Sequence, residues 1–226
     1  MCDLSVTDAI SQRAAVREYS GRPVEEELVR EILQWAGKSP SGSNVQPWKV
    51  YALAGEIKDQ LSHAVLAKAS ETPAGDRPDI PVYPPAMADP WRSRRGDCGE
   101  LMYSTLGIAR DDKAARFEQG AKNLFFFGAP VGLIITMDRS LCESQIIDVG
   151  LFAQNILLLA QERGLATCPQ ASWTMWSGTI REILDIDDSE MVMLGISMGY
   201  AAIDHPINHL KQPRLAVDEY ASLRGF

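Results

Sequence analysis

Four cations define the chemistry that this sequence could do. Arg13 and Arg17 lie four residues apart near the start of the chain, a spacing that puts both guanidinium groups on one face of a helix. Lys211 and Arg214 lie near its end. If the two ends fold together, the four converge on one point, where a phosphate monoester with its two charges and several acceptor oxygens is the natural occupant. The alternative is ordinary solvated helix charge. Thirty acidic residues against 22 basic ones give 226 residues a net charge of −8, so any anion must be held by such a local cluster. A general nucleic-acid-binding face is not expected on this charge balance.

Other candidate chemistries are weaker. Gly195-Ile196-Ser197-Met198-Gly199 matches G-x-S-x-G after a predicted strand, which would make Ser197 the nucleophile of a serine hydrolase. However, no helical run follows the serine, and only 27 residues remain after Gly199 to supply an acid and a histidine. His205 and His209 are interrupted by Pro206 and have no evident third ligand, so no metal site is expected. Cys168 beside Pro169 reads as a buried or ligand-adjacent thiol rather than a nucleophile. Neither G-x-G-x-x-G nor G-x-x-x-x-G-K-S/T occurs, so a bound nucleotide must be gripped in some other way.

The elements that must position these groups follow from patterning. Residues 1–33 read as helical, with a second helix opening at Pro23 and Glu25, Glu26 and Glu27 near its positive end. Residues 37–47 form a loop rich in Gly, Pro, Ser and Asn that feeds a strand over 48–53. Residues 56–69 are helical, whereas 72–90 hold six prolines and make an irregular excursion or lid reaching to about residue 110. Residues 91–103 and 111–124 have helical composition, and 131–137 are a buried strand. The helix over 144–163 is apolar on nearly every side and must be central or at a subunit interface. A proline-containing turn is expected over 167–172, a helix over 177–184 and a strand over 191–197, followed by an irregular basic tail from about residue 200. Strands separated by helices predict a mixed sheet between helical layers, in one domain spanning 1–226.

A chain of this length and 46% hydrophobic content buries roughly 70% of its unfolded surface, without help from disulfides or metals. Its four cysteines, Cys2, Cys98, Cys142 and Cys168, show no metal-ligand spacing, and no signal-peptide layout opens the sequence. Both features point to a reducing cytosol. The longest apolar stretch, 149–160, falls short of the roughly 20 residues that a membrane span needs.

Four segments in order carry a resemblance. Arg13 to Tyr19 (RAAVREY) fits R-x-S/A-x-R/K-x-F/Y, and Ser39 to Trp48 (SPSGSNVQPW) fits P-S-x-x-N-x-Q-P-W. Gly164 to Ala171 (GLATCPQA) fits G-L-x-T-x-P, and Lys211 to Glu219 (KQPRLAVDE) fits a basic tail. On these residues the chain resembles the FMN-dependent nitroreductase family over almost its whole length, and residues 91–127 look like the longer branch that includes nitrobenzoate and nitroaromatic reductases. The resemblance implies an α+β nitroreductase-type fold, a central mixed sheet flanked by helices, and an intertwined homodimer with the flavin sites at the interface. It also implies FMN as cofactor and NADH or NADPH as reductant. Nitro groups would be reduced in two-electron steps through nitroso to hydroxylamine by a ping-pong mechanism, with flavin, quinone or ene reduction as the alternative within the fold.

By the same resemblance Arg13, Ala14 and Ala15, with Lys211 and Arg214, bind the FMN phosphate, and Arg17 lies nearer the pyrimidine edge. Pro169, Gln170 and Ala171 line one flavin face, and Pro40, Ser41, Gly42 and Asn44 reach the flavin from the second subunit. No side-chain acid or base is obligatory, because flavin N5 is the reactive atom. Tyr83, Trp91, Arg94 and Arg95 of the excursion, with Phe125, Trp173 and Trp176, would form an aromatic and cationic lid over the substrate. Two departures stand out: Ala15 replaces a frequent serine, and Lys211 precedes Arg214 by three residues where many members have two.

Overall fold

A computed structural model describes residues 4–226, so Cys2 lies outside the described residues. The apolar β-branched runs become strands β1 (Trp48–Ala54), β2 (Val131–Asp138), β3 (Ala166–Gln170) and β4 (Glu190–Gly199), joined in the order β1-β2-β4-β3. Every strand pair is antiparallel. The expected mixed sheet is therefore corrected: the parallel element among the described residues is one isolated bridge, Ala15 to Thr167.

Alternation along β2 divides the core. Leu133 and Ile135 face a layer containing Val29 and Ile32 of α2 (Glu26–Ala36) and Phe152 and Ile156 of α6 (Glu143–Glu162). Ile134 faces the other layer, with Leu61 of α3 (Gly55–Glu71), Ile180 of α7 (Ser177–Leu184), and Phe126 and Trp173 from two irregular turns. Burial on both faces explains why β2 carries no polar alternation. None of the described helices is long and apolar enough to cross a membrane.

The expected continuous helical start breaks after α1 (Val6–Gln12). Arg13 ends it at φ −59°, ψ 127°, and an extended run leads to α2, so Arg13 and Arg17 do not share a helix face. The chain gives up helix there because β3 and the tail satisfy its backbone. The Val16 N–H donates to Thr167 O at 3.0 Å and the Arg17 N–H to Asn208 Oδ1 at 3.0 Å. Pro23 stays outside α2, whose first turn keeps Glu26 and Glu27. The expected turn at 167–172 is instead edge strand β3, where Pro169 can sit at the open edge without costing a ladder bond.

The excursion is irregular through residue 90, then forms α4 (Trp91–Thr105) and α5 (Lys113–Ala121). Its root is clamped to α7. Asp76 accepts from the Thr179 N–H at 2.7 Å, and the Thr174 hydroxyl donates to Ile80 O at 2.9 Å. Asp79, buried, pairs with Arg181 and Arg139 and accepts from the Val192 N–H at 2.9 Å. Burial works to raise the Asp79 pKa, but the Val192 amide, Arg139, Ser177 and Arg181 outweigh it and hold the carboxyl below its ordinary value.

A depressed carboxyl stabilises the fold above the unfolded pKa of about 3.9, and that contribution is lost as pH falls through the lower folded value. Asp79→Ala, which strands a buried guanidinium, is expected to cost roughly 3 kcal/mol at pH 7. Urea unfolding at pH 7 and pH 3 checks this, with the difference from the parent shrinking in acid.

Candidate functional site

The two ends of the chain meet beside β3. Past β4, Tyr200 O accepts from the Ser20 N–H at 2.9 Å, and Tyr19 bridges Ala201 in antiparallel fashion. Asn208 then closes the junction. Its amide nitrogen donates to Glu18 O at 2.8 Å and Ala202 O at 2.9 Å, while its oxygen takes the Arg17 N–H. No motif singled out Asn208, because its role is to hold backbone from two distant segments.

This junction shapes a cleft of about 710 Å³, lined by Arg13, Ala14, Ala15 and Arg17 from one end and Lys211 and Arg214 from the other. Among the described residues no carboxylate lines it. Among the described residues none of the four cations forms an ion pair, although a dozen pairs occur elsewhere. Arg214 folds onto its own backbone, Nη1 donating to Gln212 O at 3.1 Å, and Arg17 Nη1 reaches Ala15 O at 3.4 Å. These carbonyls are weak partners for a guanidinium, so the cleft carries uncompensated positive charge on an acidic protein.

The parallel bridge sets β3 against this cationic run. Cys168 on β3 is buried, and burial pushes its thiol up to about 11, with Arg17 and Arg13 pulling the other way. Beneath it, Tyr19 OH and Ser197 Oγ lie 2.8 Å apart, and burial raises the Tyr19 phenol. Ser197 is fully buried inside β4 and Cys168 O takes its hydroxyl at 3.4 Å. A buried mid-strand serine cannot attack a substrate, which removes the hydrolase reading. Farther along β3, Pro169 and the adjoining Ala171 are exposed. Gln170 is buried, its amide nitrogen donating to Asn123 O at 2.9 Å while its oxygen has no partner among the described residues.

Pro40, Ser41, Gly42 and Asn44 do not line this cleft. They sit on α6, where the Gly42 N–H donates to the Asp148 carboxylate at 3.2 Å and Asn155 donates to Ser39 Oγ at 2.7 Å. Ser43 and Asn44 adopt φ of +50° and +59°, so the loop turns in the left-handed region.

The expected lid divides. Tyr83 and Trp91 are exposed, the Arg95 guanidinium lies 3.9 Å from the Tyr83 ring centre, and Arg94 lines a second cleft against the tail. Trp173 and Trp176 belong to the core, which corrects their assignment. The Trp173 indole stacks on Phe126 at 4.2 Å and lies so close over Gly195 that a Cβ there would meet its Cδ1 at 2.0 Å. Phe125 is half-buried against the same core, edge-on to His63. Hydrophobic composition alone did not separate lid aromatics from core ones.

Comparison with known proteins gives the site its context. The Nitroreductase family model matches residues 10–200. The chain belongs to the nitroreductase family. It is 38% identical to a 4-nitrobenzoate reductase of Pseudomonas putida, covering 96% of this chain and 94% of that protein. It is 36% identical to a nitrobenzene nitroreductase of Ectopseudomonas oleovorans over 96% of each. The structure of an FMN and NADPH-dependent nitroreductase, NfnB, from Sphingopyxis sp. strain HMH superimposes with a TM-score of 0.96 at 38% identity, covering 99% of this chain and all of that one. The fold is thus the nitroreductase fold, and the cleft is built by this family member's two ends.

The burial of Cys168 predicts its reactivity. Iodoacetamide at pH 8 should label exposed Cys98 and Cys142 in the native protein and Cys168 only after denaturation, as read by peptide mapping.

Proposed function

We propose that this protein is an FMN-dependent NAD(P)H nitroreductase that takes nitroaromatic compounds to hydroxylamines by way of the nitroso compound. The observation that carries this reading is the convergence of Arg13, Arg17, Lys211 and Arg214 on one cleft that no carboxylate lines among the described residues. The cleft is of organic-ligand size, and the donor set suits a phosphate at one end with a planar heterocycle beyond it. The residues present therefore fit FMN. The nitroarene reduction for which the relatives are named and the FMN and NADPH dependence of the matched structure support the same chemistry.

Bound FMN supplies a two-electron relay between a nicotinamide and an acceptor. The protein supplies the rest. Arg13, Lys211 and Arg214 hold the phosphate, with the backbone amides of Ala14 and Ala15 standing where a serine hydroxyl is missing. Arg17 would set positive charge near the ring and so ease its reduction. Pro169, Gln170 and Ala171, which lie on β3 and the turn after it beyond the lining of the cleft, would flank the ring and offer it a backbone amide. Reductant and acceptor would enter in turn from the side left open. The nitro-to-nitroso step consumes one NAD(P)H and one proton and releases water; the second step consumes another of each. Water and backbone groups serve the protons, and the excursion over 72–110 acts as the lid.

A homodimer completes the site in this reading. The 20-residue α6 leaves Ile147 68% exposed and Leu151 half-exposed on the same stripe as Gln154, which lines the cleft. An apolar stripe running to the cleft edge is a surface for a second copy, which would bring Pro40, Ser41, Gly42 and Asn44 to the flavin. The tail from about residue 200 would wrap that partner.

Purified protein should be yellow and should bleach when NADPH or NADH is added without air; colourless protein would overturn the reading. Arg13→Ala and Arg214→Ala should each weaken FMN retention roughly tenfold, the scale of a charge-assisted contact, as measured by fluorescence titration. Arg17→Ala should lower the flavin midpoint potential more than Arg17→Lys. For the dimer, Ile147→Glu with Leu151→Glu should halve the mass seen by light scattering and loosen FMN with it.

A further inference from the structure

A second cleft, about 670 Å³, lies between α4 and the tail and shares Gln212 and Arg214 with the cationic cleft. Leu101, Pro213 and Leu215 give it apolar walls, and the Gln212 amide donating to Cys98 O at 3.4 Å ties tail to helix. The first turns of α4 carry three arginines with different fates. Arg92 is taken by Asp89, and Arg95 lies flat over Tyr83. Arg94 is taken by neither and lines the cleft. Asp97 lines it too, yet no ion pair joins the two among the described residues. The result is a slot with apolar walls, with a guanidinium at Arg94 and another at Arg214.

We infer that Arg94 reads a negative charge on the reactants: it binds the oxyanion of an aromatic acid or dinucleotide entering between α4 and the tail, and so sets preference for anionic over neutral partners. A guanidinium forks onto a carboxylate or a phosphate equally well, so the shared chemistry is an oxyanion carried next to a flat ring. A neutral nitroarene would fill the slot without using Arg94. This inference deepens the nitroreductase reading and rests on it.

The test uses the purified holoprotein and its Arg94→Ala, Arg94→Lys and Arg92→Ala variants. In Arg94→Ala the ratio of kcat/KM for 4-nitrobenzoate to that for nitrobenzene should fall roughly tenfold, the scale of one charge-assisted contact. Arg94→Lys should recover part of it, and Arg92→Ala should leave it unchanged. A fall in that ratio assigns the oxyanion to the acceptor. An unchanged ratio with a raised KM for NADPH but not NADH assigns it to the dinucleotide's extra phosphate. Calorimetric binding of benzoate against benzamide gives a readout independent of turnover. Loss of the benzoate preference in Arg94→Ala supports the inference, whereas an unchanged preference together with unchanged ratio and KM values overturns it. If the parent reduces neither nitro compound, the functional reading fails while the benzoate titration still decides on Arg94.

Discussion

The site depends on a short extended run, residues 13–20, being gripped from both sides. On one side Thr167 of β3 takes the Val16 amide; on the other, Asn208 and Tyr200 of the returning tail take the amides of Arg17 and Ser20. Backbone hydrogen bonds fix direction as well as distance, so this run cannot rotate without breaking several partners together. Arg13 and Arg17 are therefore presented at fixed places. The tail that pins them also carries Lys211 and Arg214. One interaction thus closes the longest loop in the protein and assembles a charge cluster, and the closure entropy is covered mainly by the core on either side of the sheet.

Electrostatics gives the cluster its force. A net charge of −8 offers cations many partners, and ten of the 22 lysines and arginines form ion pairs among the described residues, with Lys49 bonded to buried Glu190, Lys122 to Glu18 and Arg163 to Glu31. Burial opposes ionisation of Glu190, but Lys49, Thr136 and Tyr51 bring its pKa down. By contrast the cleft cations meet only carbonyls. Gathering like charges leaves the cleft a positive potential that favours an anion over a neutral group of the same shape. Lys49 and Arg13 are both surface cations in sequence terms, yet among the described residues Lys49 pairs with a carboxylate and Arg13 does not.

Legibility in the sequence followed the same division. The strands at 48–54 and 131–138 and the helices at 143–162 and 177–184 lie where periodicity puts them, because their side chains pack locally in the expected period. The cation quartet and the basic tail were visible as residue types. Two things were not. The run 13–20 has helix-compatible residues, but its backbone partners are about 150 to 190 residues away and no local pattern encodes them. Trp173 has the composition of a lid and the location of a core, decided by Gly195 opposite it, whose missing side chain makes room for the indole. Asn208 left no signal beyond being polar.

The excursion shows how rigidity and breadth can coexist in one segment. Its root is fixed by Asp76 and Asp79 to α7 and the sheet, through bonds that are part-buried. Its far part, α4, contributes no buried residue and is held by the tail through Gln212 and by α5 through Arg116, which pairs with Glu100. None of the α4 residues belongs to the buried core, so substitution there costs the fold little. The run 13–20, by contrast, is held by backbone bonds to β3 and the tail and keeps Arg13 and Arg17 in place whatever side chains α4 carries.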